Sequence, residues 1–181
     1  MRHFLTSLTI GWFLTFATAQ AQDNQSIEAK IKELMFEKME VEVTKIEHSG
    51  LTRTFATEFY TVECNFDGSI DHFVYADTAN GLVNVTKPST STPMPEMLET
   101  LKPTFKLATE KDGQLMLSAF KALYAKKNSS FNKIEPRVAQ KGRTWNFILA
   151  RFFDDFSGFV VQTDPSGKIH HIEYSLGIEV E

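Results

Sequence analysis

Two strand-like runs, TFATEFYTVECNF (54–66) and SIDHFVYAD (69–77), meet at Asp67-Gly68, and no other junction in the chain limits the choice of fold so sharply. Both runs are rich in β-branched and aromatic residues whose short-range alternation suits strands. Asp-Gly between such runs favours the type I′ turn of a tight hairpin, which needs positive φ at both central positions. The two strands are therefore expected to pair antiparallel. Asn80-Gly81 offers related turn chemistry before LVNV (82–85), and VEVTKIEH (41–48) reads as a strand upstream.

Helical signals frame this sheet. Ser26 stands ahead of IEAKIKELMFEKM as a helix cap, with Glu28 in the first turn and Ile27, Ile31, Leu34, Met35 and Met39 on one face. Residues 87–95, KPSTSTPMP, set Pro88, Pro93 and Pro95 among Ser and Thr, a composition expected neither to pair in a sheet nor to continue a helix. A short helix is expected in PEMLETL. A longer one is expected from near Asp112, where GQLMLSAFKALYAKK sets Leu115, Leu117, Phe120, Leu123 and Tyr124 on a common side. Strands then return at SFNKIEPRV (130–138), TWNFILARFF (144–153), GFVVQTD (158–164) and KIHHIEYSL (168–176), with Asp164-Pro165-Ser166-Gly167 as a turn between the last two.

The expected class is thus α+β, as two tandem units, each a helix followed by an antiparallel sheet. Residues 22–87 form the first unit and 112–181 the second, with a linker and short helix over 88–111. This order raises the question of an internal repeat. KIE at 45–47 recurs at 133–135, and GSIDHFVYA (68–76) lines up with GKIHHIEYS (167–175), so that His72 falls on His171.

The first 21 residues follow a different plan. Arg2 and His3 open the chain, an apolar run extends from Phe4 to Ala17, and small residues recur at Ala17, Ala19 and Ala21. This is the pattern of a secretory signal peptide with cleavage after Ala19 or Ala21. Its apolar core is shorter than the ~20 residues of a membrane span, and no later segment approaches that length. The mature chain is expected to be periplasmic or secreted, without a span. Losing Arg2 takes its formal charge from −4 to −5. Without a dense Lys/Arg run, that balance argues against nucleic acid as a partner. Cys64 is the single cysteine, so no internal disulfide can form and stability must come from the core. In YTVECNF it reads as a small buried apolar side chain.

Three residues stand out as candidates for binding. His170 and His171 are adjacent on an expected strand, where successive side chains point to opposite faces, so the two imidazoles are expected to diverge. No helical His-x-x-x-His or paired-Cys spacing accompanies them, and neither a metal nor a cofactor is expected. Asp154 and Asp155 sit between two strands, where consecutive carboxylates solvate a turn more readily than they catalyse. Phe156, flanked by Asp155 and Ser157 at an expected hairpin tip, either folds back onto the core or meets a partner. His170, Asp155 and Phe156 are therefore the candidate binding residues. No residue is assigned as catalytic, since nucleophile-elbow, phosphate-loop and dinucleotide glycine patterns do not occur.

Element order over roughly residues 26 to 178, with the hairpin phrases FDGSIDHFVYAD and TDPSGKIHHIEYS, resembles the beta-lactamase inhibitory protein architecture and related PepSY-like periplasmic proteins. The resemblance implies protein binding by a concave sheet face and hairpin tips, where Asp155 and Phe156 would lie. That inhibitor class is disulfide-bonded, and a chain with only Cys64 departs from it. The closing strands, GFVVQTDPSGKIHHIEY, are also similar to those of nuclear transport factor 2-like and cystatin-like domains, which often hold a pocket. Two functions follow as expectations. One is an exported non-enzymatic binding protein whose partner is another envelope or secreted protein; the other is a pocket protein that binds or isomerises a small ligand with groups such as His170 or Asp155.

Overall fold

A computed structural model describes residues 26–36, 42–66, 68–124, 134–152 and 155–179. The leader expected over residues 1–21 and the turn residue Asp154 lie outside these. Residues 26–36 are helical (α1) and precede four strands, β1 (Glu42–Ser49), β2 (Glu58–Phe66), β3 (Ser69–Thr78) and β4 (Gly81–Asn84). A two-residue strand β5 (Thr92–Pro93) leads to helix α2 (Pro95–Glu99) and helix α3 (Glu110–Tyr124). Strands β6 (Arg137–Lys141), β7 (Thr144–Phe152), β8 (Asp155–Thr163) and β9 (Ile169–Leu176) follow. The first sheet has the order β1-β2-β3-β4 and the second β5-β9-β8-β7-β6. The α+β class expected from the sequence is the observed one.

The chain divides into two compact units. Among the described residues one comprises 26–36, 42–46, 64–66 and 68–71, the other 47–63, 72–124, 134–152 and 155–179. The boundary runs within β1, β2 and β3. In the smaller unit Ile31 and Met35, four apart on one helical face, are buried, as is Cys64. Gly68 takes the positive φ that its turn demands, +87°, and its N–H donates to Asn65 Oδ1.

The larger unit has a filled core built around α3. Phe120 stacks on Phe159 of β8 with ring centroids 4.1 Å apart and meets Phe147 of β7 edge-on at 5.2 Å. Phe159 in turn meets Tyr174 of β9 edge-on. Phe55, Phe59, Val74, Ala76 and Val85 belong to the same cluster, as do Met97 of α2 and Leu107. The start of α3 is set by a reciprocal cap. Asp112 accepts from the Thr109 N–H and hydroxyl, while the Asp112 N–H donates to Thr109 Oγ1. On its buried side α3 carries Gly113, Met116, Leu117, Ala119, Phe120 and Leu123, while the expected Leu115 is only half-buried. The stripe read from the sequence is widened by Gly113, Met116 and Ala119, and at position 113 the helix comes so close to β7 that a Cβ would lie 2.8 Å from the Trp145 ring.

Several strand expectations are corrected. Thr92-Pro93 does pair, with Tyr174 and Glu173 of β9, which is possible because this strand lies at the sheet edge, where a missing N–H costs no ladder bond. Of the strand expected over 130–138, residues 130–133 lie outside the described residues, 134–136 are not in a strand, and β6 starts at Arg137, immediately after Pro136. Strand β8 starts at Asp155, three residues before the expected Gly158, so Phe156 lies within a strand and not at a tip. The phrases that suggested a repeat hold different places: GSIDHFVYA falls on β3, third strand of its meander, and GKIHHIEYS on β9, the fourth from β6. Ile70 is 56% exposed whereas Ile169 is buried. The match between His72 and His171 therefore reflects shared hairpin chemistry rather than equivalent positions.

The strand that carries the two histidines is not regular. Gln162 lies opposite His171, and Thr163 lies opposite Ile169, so His170 is the extra residue of a β-bulge. The inserted residue resets the alternation, keeping Ile169 and Ile172 buried while His170 is exposed and His171 half-exposed.

Candidate functional site

Strands β6, β7 and β8 frame a concave feature that gathers charged and aromatic side chains. Strand β7 outruns β6: Arg137 pairs with Ile148, and the later residues of β7 pair with β8 alone. Within that stretch the β7–β8 register slips, from Ile148 opposite Gly158 to Ala150 opposite Ser157, leaving Leu149 as a bulge residue. The slip is possible because Gly158 has no side chain; a Cβ there would lie 1.8 Å from the Phe147 carbonyl oxygen. Beyond the bulge Arg151 stands directly opposite Phe156.

The Phe156 backbone is fixed from the other side as well. Its carbonyl accepts hydrogen bonds from the Gly177 and Ile178 N–H groups, at 3.0 and 2.9 Å, where the chain leaves β9. A half-buried aromatic ring is thus held on a rigid strand end. The Arg137 guanidinium lies over this ring at 5.4 Å from its centroid and that of Arg151 at 5.7 Å, within cation–π range. An open groove of about 560 Å³ forms around them, lined by residues 134–138, by Gln114 and Leu117 of α3, and by Arg151 and Phe156. That volume falls in the range of ligand sites, about 300–1,000 Å³.

Of the three candidates read from the sequence, Phe156 alone lines this groove. Asp155 is its exposed neighbour, opposite Phe152. His170 is exposed on β9, which is separated from β7 by β8. His171 Nε2 lies 3.4 Å from Glu173 Oε2, and no cluster of three or more metal-ligating side chains occurs among the described residues. Sequence reasoning missed Arg137 and Arg151. Both stand in unremarkable strand contexts, EPRV and LARFF, and only the pairing register brings them to one ring. The groove lining contains one carboxylate, Glu135, and no serine, cysteine or histidine, so it offers recognition of charge and apolar surface but no nucleophile–base pair.

Comparison with protein-family models, with curated proteins and with solved structures finds no match for this chain.

Proposed function

We propose that the chain is an exported, non-enzymatic binding protein and that the groove around Phe156 is its recognition site. Export rests on the leader, with its basic start, short apolar core and small residues before Gln22. Recognition rests on one observation: two guanidinium groups converge on one aromatic ring at the mouth of a groove of about 560 Å³. Aromatic and arginine side chains on a rigid frame are the usual anchors of an interface. The binding surface is then a strand end and its flanking groove, not a hairpin tip. Neither His170 nor Asp155 lines the groove, so the small-molecule isomerase reading loses the two groups it was built on.

The test is affinity capture from the protein's own envelope extract, with wild type and a Phe156→Ala, Arg151→Glu double variant as parallel baits. A stoichiometric partner or co-purifying ligand held by wild type and released by the variant supports the reading. Equal retention by both baits refutes the groove as the site.

A further inference from the structure

The groove also carries information about what it recognises. Its charged lining is Arg137, Arg151 and Glu135. Among the described residues no carboxylate pairs with Arg137, which is exposed and lies over the Phe156 ring. A guanidinium beside a ring, with no carboxylate partner of its own, keeps the donor fork that fits a carboxylate with two parallel hydrogen bonds. The ring and the apolar side chains of Ile134, Leu117 and Val138 exclude water on one side, which strengthens such a pair relative to a fully exposed one.

Resting on the reading of this groove as the binding site, we infer that its ligand is a monoanionic carboxylate carrying an apolar or aromatic group. Arg137 holds the carboxylate, Arg151 adds to the positive field, and the apolar group lies against Phe156 and Leu117. A phosphate fits less well. Its second negative charge would meet Glu135, and its hydration shell would leave the apolar lining unused.

Two sources share this chemistry, a free organic acid and the C-terminal residue of a peptide, and the experiment separates them. Isotope-labelled protein is titrated with 3-phenylpropionate, with N-acetyl-Gly-Phe and with its neutral amide, and with inorganic phosphate, while backbone resonances of Arg137, Arg151 and Phe156 are followed. The expected result is saturable shifts at these residues with a carboxylate, at least tenfold weaker binding of the neutral amide, and loss of that preference in Arg137→Gln. Arg137→Lys, which keeps the charge but not the fork, retains only part of it. Saturation by N-acetyl-Gly-Phe alone identifies a peptide terminus, and saturation by both acids identifies the carboxylate group itself. Equal binding of acid and amide, a preference for phosphate, or an undiminished preference in a folded Arg137→Gln overturns the inference while leaving the groove as a binding site. Absence of any shift at the groove with every probe overturns both.

Discussion

Gly158→Ala tests the geometry on which the site depends. A Cβ at this position would sit 1.8 Å from the Phe147 carbonyl oxygen, 2.9 Å from its carbonyl carbon and 3.2 Å from Ile148 Cα. All three are backbone atoms, so no side-chain rotation can relieve the clash. Reaching the 3.4 Å of ordinary contact from 1.8 Å means an opening of about 1.6 Å between β7 and β8 at the bulge. Overpacking costs about 1–3 kcal/mol, and each ladder hydrogen bond pulled apart about 1 kcal/mol more. The lower entropy of the unfolded alanine chain returns about 0.4–1 kcal/mol. A net loss of roughly 2–4 kcal/mol is expected. Urea unfolding read by fluorescence suits the measurement, because Trp145 is the sole tryptophan after residue 21 and lies on β7. With a urea dependence of about 2 kcal/mol per molar, the midpoint falls by about 1–2 M. Gly50→Ala is the control, since no atom lies within 4 Å of its added Cβ. If the two variants unfold at the same urea concentration, the bulge is not held by Gly158 and the placement of Phe156 opposite Arg151 loses its support.

Three further outcomes are expected. The Tyr124 hydroxyl donates to the Val85 carbonyl at 2.7 Å, and burial raises its pKa well above 10. This contribution is complete below the unfolded-state value of about 10 and is lost as pH rises through the folded value, so wild type loses stability between pH 9 and about 11 more steeply than Tyr124→Phe in paired urea titrations. At the start of α3 burial opposes the Asp112 charge, but hydrogen bonds from the Thr109 hydroxyl and N–H and the Ala108 N–H, with Lys111 nearby, hold its pKa below the usual value. Its contribution is therefore present above about pH 4 and fades as pH falls through the folded value; Thr109→Ala removes about 1 kcal/mol at pH 7, measured by urea unfolding, and flattens that acid dependence. Finally, burial and the nearby Asp71 charge raise the Cys64 thiol pKa. A thiol-specific reagent at pH 8 should label Cys64 only in step with unfolding, and rapid labelling of the folded protein would contradict its burial.

The sequence alone determined the kinds of element and most of their order, because turn chemistry and side-chain period act over a few residues. Asp67-Gly68, Asn80-Gly81 and Asp164-Pro165-Ser166-Gly167 each separate strands that pair or adjoin as expected, with Gly68, Gly81 and Gly167 at positive φ. The helix from near Asp112, though not its cap, and the aromatic strand at Trp145 were legible for the same reason. Phe156 was legible as an aromatic without a local role, though not as part of a strand. What only the tertiary structure decided is where register slips. The bulge beside Leu149 sets Arg151 opposite Phe156, and the one at His170 turns two adjacent histidines away from the core. A bulge arises from how a strand packs against its neighbours, here through the close approach of Phe147 to a glycine ten or more residues along the chain. Such contacts leave no periodic trace in either strand, so Arg137 and Arg151 could not be assigned to one ring until both pairings were known.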